Sequence, residues 1–75
     1  MDKEILKNLN YFHKEIREIR KSLRLTQKAV ADALGVTYQS YQSYELGLTF
    51  PTLENFVKLC DFFDVTPNDL LDYTP

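Results

Sequence analysis

The stretch TQKAVADALGVTYQSYQSYE, residues 26–45, has the pattern of two short helices joined by a tight turn. Its first half, Gln27 to Leu34, spaces apolar side chains so that they form one buried stripe. Gly35 follows, and because glycine adopts positive φ without steric cost, it is suited to end the helix. A second helix is predicted from Tyr38 to Glu45. Two helices with a glycine in the turn are the helix-turn-helix arrangement, whose second helix can lie in the major groove of DNA.

Each helix of this pair has a predicted cap and a predicted buried face. Thr26 and Thr37 stand where a hydroxyl can accept a hydrogen bond from a free backbone N–H. In the second helix Tyr41 and Tyr44 are three residues apart and are expected to face the first helix. The opposite face is then neutral and polar or amphipathic, and carries Tyr38, Gln39, Gln42 and Ser43.

Three further helices are predicted around the pair, so the chain is expected to be all-helical. A stripe with spacings of 4, 3, 4, 3 and 4 predicts one long first helix: Ile5, Leu9, Phe12, Ile16, Ile19 and Leu23. It is capped by Asp2 unless Asn8 or Asn10 breaks or starts it. Gly47 should end the third helix, and Thr52 should cap the fourth, which buries Phe56, Leu59, Cys60 and Phe63. Thr66, Pro67 and Asp69 predict a capping box on a short fifth helix that returns Leu70 and Leu71 to the core.

Size and composition indicate one small intracellular domain. Seventy-five residues suffice for a single core, near the lower limit for a domain that folds without disulfides or a bound metal. The only cysteine, Cys60, excludes an internal disulfide and suits a reducing cytoplasm, and we expect it to be a packed thiol. The start MDKEILKN is too polar for a signal peptide, and no apolar run is long enough to span a membrane.

The formal net charge of −2 hides a strong asymmetry along the chain. Residues 14–28 contain six basic residues and two acidic ones, whereas residues 29–75 contain one basic residue, Lys58, and seven acidic ones. The basic region therefore lies around the first helix and the start of the second. Taken singly, most of these charged residues are explained equally well as part of a solvent-exposed helix face as by a role in binding nucleic acid.

Several residues resemble a known family when they are taken together: Ile16–Ile19–Arg20, Thr26-Gln27, Val30-Ala31, Leu34-Gly35-Val36, Glu45-x-Gly47, Pro51-Thr52-Leu53 and Phe63-x-Val65-Thr66. From about Asn10 to Tyr73 the chain resembles the Cro/phage-repressor type of helix-turn-helix domain. The resemblance implies an all-α, compact five-helix bundle of the lambda-repressor-like type. The single domain, residues 1–75, then comprises an N-terminal extension of the first helix (1–9), a family-matching core (16–71) and the helix-turn-helix (27–45).

The resemblance also implies roles for individual residues. Tyr38, Gln39, Gln42 and Ser43 are expected to contact DNA bases, and Gln27, Lys28, Thr37 and Ser40 the DNA backbone. Arg20 matches a family arginine that pairs with the acid at the end of the third helix, here Glu45. That ion pair is expected to be architectural, because partly buried charges must satisfy each other. Family members usually carry basic residues in the third helix or the loop after it, but this chain has none between Lys28 and Lys58, so modest, dimer-dependent binding is expected.

The sequence therefore predicts a homodimeric, sequence-specific transcriptional regulator on double-stranded DNA with an inverted-repeat operator. Its dimer surface is expected on the fourth and fifth helices and the 46–50 loop, through Phe62, Val65 and Tyr73. Ile5, Leu6 and Leu9 either pack on their own domain or hold two subunits together. The alternative function is a protein-interaction module, antitoxin-like or accessory, with weak or no DNA binding.

Other classes of function have no supporting residues. A lone His13, on the polar side of the first helix, is expected to be a surface residue and not a ligand or base. The aspartates at 61, 64, 69 and 72 do not fit the spacing of a calcium loop, so no metal is expected. We expect no enzyme activity, no cofactor, no small-molecule ligand and no membrane association.

Overall fold

The computed structural model describes residues 3–74, which form five α-helices and no strand. They are α1 (Lys3–Ser22), α2 (Gln27–Leu34), α3 (Tyr38–Leu46), α4 (Leu53–Phe63) and α5 (Pro67–Leu71). The all-helical, five-helix prediction is confirmed, with α1 continuous past Asn8 and Asn10. The predicted cap of α1, Asp2, lies outside the described residues. None of the described helices is long and apolar enough to cross a membrane.

Threonine caps fix where four of the helices begin. Thr26, Thr37, Thr52 and Thr66 all have extended backbones, and each hydroxyl oxygen accepts a hydrogen bond from the N–H three residues later. At α5 the Asp69 carboxylate accepts in return from the Thr66 N–H at 2.8 Å, which completes the predicted capping box. All four predicted caps are therefore confirmed, and helix starts are set by residues in the same turn.

A residue in the left-handed conformation follows each of the five helices. The φ values are +59° at Arg24, +74° at Gly35, +78° at Gly47, +56° at Asp64 and +48° at Asp72. Glycine takes this conformation freely, whereas a residue with a Cβ pays about 1–2 kcal/mol. Three of the five helix ends therefore carry a backbone cost that glycine would avoid.

The core lies where α1, α3 and α4 converge on α2 and α5. Its fully buried side chains are Phe12, Ile16, Val30, Ala31, Leu34, Tyr41, Leu59 and Leu70, with Tyr44, Cys60 and Phe63 almost so. Tyr41 and Tyr44 are buried as predicted, and their rings meet edge-on with centroids 6.0 Å apart. Cys60 is a buried free thiol whose pKa is raised by burial, in agreement with the predicted packing role.

His13 departs from the sequence-based expectation. It was predicted at the surface but is 9% exposed, and its Nδ1 donates to the Tyr44 carbonyl oxygen at 2.6 Å. That carbonyl lies in the last turn of α3, where its backbone partner is the Gly47 N–H at a long 3.4 Å. The imidazole packs over the Phe50 ring, 4.4 Å between centroids, and directly against Gly47. His13 is thus a buried residue that holds the end of α3 against α1.

The N-terminal extension is attached to the domain through Asn8. Its Nδ2 donates to the carbonyl oxygens of Leu71, at 2.6 Å, and Asp72, at 2.9 Å, at the end of α5. This supports packing of the extension on its own domain. Ile5 and Leu6, at the start of α1, nevertheless remain exposed.

A bidentate ion pair connects α1 to the end of α3. Arg20 Nε donates to Glu45 Oε2 at 2.6 Å and Arg20 Nη2 donates to Glu45 Oε1 at 3.0 Å. The Arg20 and Glu45 side chains are only 13% and 2% exposed. Nη1 of the same guanidinium donates to the Leu25 carbonyl oxygen at 2.9 Å, so the α1–α2 turn is fixed as well. One arginine therefore sets the position of α3 relative to α1 and α2.

The balance of burial and hydrogen bonding keeps both members charged. Burial of the Glu45 carboxyl acts to raise its pKa, but hydrogen bonds from Arg20 and Gln27 and the charge of Arg20 outweigh burial and lower the pKa. The hydrogen bond to Glu45 raises the pKa of Arg20. Because the Glu45 pKa is lower in the folded state, the pair stabilises the fold above about pH 4.3, and this contribution falls as the pH drops through the folded pKa.

The Tyr41 hydroxyl is buried near the pair without a hydrogen-bond partner among the described residues. Burial, and the nearby Glu45 carboxylate, raise its pKa. The hydroxyl is thus close enough to the carboxylate to be influenced by its charge, but it is not in hydrogen-bonding geometry with it.

The two glycines allow a test of the His13 contact. Both Gly35→Ala and Gly47→Ala place a Cβ at positive φ, which should cost about 1–2 kcal/mol of unfolding free energy. At Gly47 the new Cβ also lies 3.3 Å from His13 Cδ2, whereas Gly35 has nothing within 4 Å. Urea unfolding should therefore show a further loss of about 1 kcal/mol or more for Gly47→Ala. In a His13→Ala background the two glycine variants should become equal, and a persisting difference would contradict the packing role of His13.

The ion pair can be tested with a double-mutant cycle. Arg20→Met leaves the Glu45 carboxylate buried and unpaired, so it should lower the unfolding free energy by about 3–5 kcal/mol. Arg20→Met combined with Glu45→Leu removes both charges and should recover most of that loss. Lys28→Met, which breaks the exposed Lys28–Asp32 pair, is the control and should cost less than about 1 kcal/mol. Additive losses in the double variant would show that the two residues do not act as a pair.

Candidate nucleic-acid interface

The α2–α3 pair is a rigid unit because both helices are fixed at the turn between them. Val30, Ala31 and Leu34 of α2 are buried, and Val36 in the turn packs against the core. The Val36 N–H donates to the Ala31 carbonyl oxygen at 3.0 Å, which closes the end of α2 around Gly35. The start of α3 is therefore placed by the core and not by a mobile loop.

A chain of hydrogen bonds runs from Glu45 along α3 to its first residue. Gln27 Nε2 donates to Glu45 Oε1 at 3.0 Å, and the Tyr38 hydroxyl donates to Gln27 Oε1 at 3.1 Å. Gln27, predicted as a DNA backbone contact, thus uses one amide hydrogen and one oxygen lone pair in hydrogen bonds within the protein. Its second amide hydrogen remains available to a phosphate oxygen. These hydrogen bonds hold the start of α2 alongside α3.

The outward face of α3 carries the residues predicted to contact bases. Tyr38 and Gln39 are exposed, and Gln42 and Ser43 are half-buried. The Ser43 hydroxyl donates to the Gln39 carbonyl oxygen at 3.0 Å, so toward a ligand its oxygen serves as an acceptor. The amides of Gln39 and Gln42 each offer donors and an acceptor without a net charge. The face can therefore form hydrogen bonds in specific patterns, while it attracts anions only weakly.

Leu46 belongs to this face and was not predicted to do so. The sequence interpretation ended the helix at Glu45 and assigned Leu46 to the loop, but α3 continues through Leu46. Leu46 is 64% exposed and follows Gln42 by four residues and Ser43 by three, so it lies on their face. The signal was present in the sequence, since Gly47 in the left-handed position allows one further helical residue before it.

The predicted DNA backbone contacts are mostly engaged in local hydrogen bonds. Thr37 caps α3 by accepting from the Ser40 N–H at 3.1 Å, and its hydroxyl donates to the Ser40 hydroxyl at 2.9 Å. Lys28 pairs with Asp32 at 3.0 Å, with both side chains exposed. An exposed pair of this kind is worth less than about 1 kcal/mol, so Lys28 can exchange the carboxylate for a phosphate.

The loop that follows α3 is apolar and contains no basic residue. Leu48 and Phe50 are exposed there, and Leu53 at the start of α4 is 78% exposed. A shallow cavity of about 300 Å³ adjoins them; its lining residues are Phe12, Phe50, Pro51, Leu53, Phe56 and Leu71. Among residues 3–74 no three His, Cys, Asp or Glu side chains are grouped so as to hold a metal ion. The chemistry available at this end of the molecule is therefore hydrogen bonding by α3 beside an apolar surface.

Comparisons with known proteins agree with this geometry. The sequence model of the helix-turn-helix family matches residues 16–70. The CTXphi transcriptional repressor RstR of Vibrio cholerae is 39% identical over 51 residues, which are 68% of this chain and 46% of RstR. The transcriptional regulator AnsR of Bacillus subtilis is 38% identical over 56 residues, which are 75% of this chain and 48% of AnsR.

A solved structure has the same fold. The restriction-modification controller protein C.AhdI of Aeromonas hydrophila superposes with a TM-score of 0.76 at 28% identity, covering 85% of this chain and 97% of C.AhdI. The chain spans about half the length of the curated relatives that it matches. These proteins are named as regulators or a controller and not as enzymes, in agreement with the expectation from the sequence. On the match to residues 16–70, the chain belongs to the Cro/phage-repressor type of the helix-turn-helix family of DNA-binding proteins.

Proposed function

We propose that this chain is a sequence-specific transcriptional regulator that binds an inverted-repeat operator as a homodimer, with α3 in the major groove. The observation that carries the proposal is the exposed, neutral, hydrogen-bonding face of α3, held on a rigid helix pair by the buried Arg20–Glu45 ion pair. A face fixed in this way can present the same pattern of donors and acceptors to every DNA site that it meets.

The dimensions of α3 suit the groove. Nine helical residues span about 13.5 Å, and the major groove of B-DNA is about 12 Å wide. Glutamine amides form bidentate pairs with adenine N6 and N7, and serine hydroxyls bind several base edges. We assign base contacts to Tyr38, Gln39, Gln42 and Ser43. Leu46, on the same face, is suited to the methyl group of thymine.

Contacts to the DNA backbone are assigned to Gln27, Lys28, Thr37 and Ser40, at the starts of α2 and α3. Backbone N–H groups at helix starts and hydroxyl side chains are common partners of phosphate oxygens. Only one of these four residues is charged, and phosphate neutralisation supplies most non-specific affinity. Binding should therefore be modest on random DNA, and should depend on two subunits acting together.

The exposed apolar side chains suggest a dimer surface, but those on α4 do not share one face. Leu53 and Val57 lie on one flank of α4, whereas Phe62, nine residues after Leu53, lies about 180° around the helix. Val65, predicted at the interface, is half-buried and packs against the core of its own domain. One flat interface cannot include both flanks.

We assign the isologous dimer contact to the exposed apolar side chains of the loop after α3 and of one flank of α4, namely Leu48, Phe50, Leu53 and Val57. The loop residues follow directly after α3 in the chain. A contact there fixes the separation of the two α3 helices, which must match two half-sites about 34–36 Å apart.

The same apolar surface also supports the alternative function, a protein-interaction module with weak or no DNA binding. An exposed apolar patch marks an interaction site without identifying its occupant. The alternative would be favoured if the chain selected no sequence from random duplex DNA and bound instead a protein partner through Leu53.

Base recognition by Gln39 can be tested after selection of a preferred site from random duplexes. Gln39→Ala should cost about 1–3 kcal/mol on that site and much less on unrelated DNA, because only base contacts discriminate sequences. Lys28→Ala is the matched contrast and should weaken all sequences about equally. Fluorescence anisotropy measures both variants, and an equal loss on every sequence for Gln39→Ala would assign that residue to the backbone.

The contact proposed for Leu46 can be tested by removing single methyl groups from the DNA. Replacing a thymine of the selected site with uracil should weaken binding of the unaltered protein by about 1 kcal/mol at the contacted position. Leu46→Ala should lose this sensitivity, while Leu48→Ala, in the loop, should keep it. Equal sensitivity in all three proteins would place Leu46 away from the bases.

The dimer can be tested by light scattering after size exclusion. At micromolar concentration the protein should elute with twice the chain mass of 8.8 kDa. Leu53→Asp should shift it to the monomer, because a charge is costly to bury without a partner. Leu23→Asp, at an exposed apolar position after α1, is the control and should leave the mass unchanged. A monomer for the unaltered chain would contradict the dimer.

A further inference from the structure

Three basic side chains at the end of α1 form no ion pair with another residue of the described range 3–74. Arg17 and Lys21 lie four residues apart on one face of α1, and Arg24 follows in the turn. All three are exposed, and none forms an ion pair within the part of the chain that the structure describes. By contrast Arg20, on a neighbouring face of the same helix, forms an ion pair with Glu45.

Arg24 occupies a position that disfavours arginine. Its φ of +59° is in the left-handed region, where glycine or a short polar residue costs less. The other four helix ends follow that preference, with two glycines and two aspartates. The Arg24 side chain forms no ion pair with a described residue that would offset the backbone cost. A strained position with an unused charged side chain indicates a role outside the folded domain itself.

The α1–α2 turn lies beside α3. Arg20 ties the Leu25 carbonyl in this turn to Glu45, and Gln27, two residues later, bonds both Glu45 and Tyr38. The three residues from Arg24 to Gln27 span at most about 11 Å. When a helix lies in a major groove about 12 Å wide, the sugar–phosphate chains form the walls on either side. The turn between α1 and α2 then faces one of those walls.

We propose that Arg17, Lys21 and Arg24 form a phosphate-binding row that holds the DNA backbone on the α1 side of α3. This inference rests on the proposed function and adds the source of the electrostatic affinity that α3 and its loop lack. The loop after α3 instead exposes apolar side chains, among them Leu48 and Phe50. The electrostatic contact with DNA is therefore uneven, with basic side chains at the end of α1 and an apolar surface in the loop after α3.

The acidic end of α5 lies away from this row. The end of α5, with Asp69 and Asp72, is fixed to α1 at Asn8, through hydrogen bonds to the carbonyls of Leu71 and Asp72. Nine residues of helix separate Asn8 from Arg17 and thirteen separate it from Lys21, about 13 and 20 Å. Both distances exceed the Debye length of about 8 Å at physiological salt, so the α5 carboxylates are largely screened from the row.

The salt dependence of DNA binding tests the row. Arg17→Gln, Lys21→Gln and Arg24→Gln each remove one phosphate contact per subunit, so on the selected site each should reduce the slope of log K against log salt by about 1.8 for the dimer. Each should weaken binding roughly thirtyfold at 0.15 M salt, on selected and random DNA alike. Lys7→Gln on α1 and Lys58→Gln on α4 make the same charge change away from the row and should leave the slope unchanged.

Arg24→Gly separates a binding role from a structural one. Glycine relieves the left-handed backbone, so the melting temperature should rise by a few degrees, while DNA binding should weaken as in Arg24→Gln. If Arg24 served only the fold, a variant that raised the melting temperature would not also weaken DNA binding.

The outcomes separate the two proposals. Unchanged slopes in the three row variants, with Gln39→Ala still losing discrimination, would overturn the row and leave the proposed function standing. Loss in Lys7→Gln equal to that in the row variants would overturn the row in favour of a general charge effect. No DNA binding by the unaltered chain would overturn both.

Discussion

The position of α3 depends on one buried ion pair. The Arg20 guanidinium donates both to the Glu45 carboxylate and to the Leu25 carbonyl, so one side chain joins α1, the α1–α2 turn and the end of α3. Buried ion pairs often contribute little net stability, because desolvation offsets attraction. Their geometry is nevertheless strict, since a guanidinium and a carboxylate bind best in one plane with two hydrogen bonds. The pair thus determines how α3 is presented more than it determines whether the chain folds.

The elements that could be predicted from the sequence are those set by neighbouring residues. The four threonine caps, the capping box at Thr66 and the helix ends at Gly35 and Gly47 each depend on side chains within one turn. The amphipathic stripes likewise identify a buried face without reference to the rest of the fold. The pairing of Arg20 with Glu45 was different, because 25 residues separate them and only the family resemblance linked the two.

The features that were missed depend on distant contacts or on a shift of one residue. His13 was placed at the surface from the periodicity of α1 alone, yet its burial requires the absence of a side chain at Gly47, far along the sequence. Leu46 was assigned to the loop because α3 was ended one residue early. Phe62 is predicted at the dimer surface from its apolar character, but it lies on the flank of α4 opposite the more exposed Leu53.

The caps at the helix ends also affect how fast the domain folds. Each capping hydrogen bond joins residues three to five apart, so the helices can form before distant segments meet. The hydrogen-bonded closures with large loop entropy are few, chiefly Arg20 with Glu45, His13 with Tyr44 and Asn8 with Leu71, which are 25, 31 and 63 residues apart. Helical domains dominated by local contacts fold in microseconds to milliseconds. Such a domain spends little time with its apolar segments exposed to other chains, which limits aggregation during synthesis.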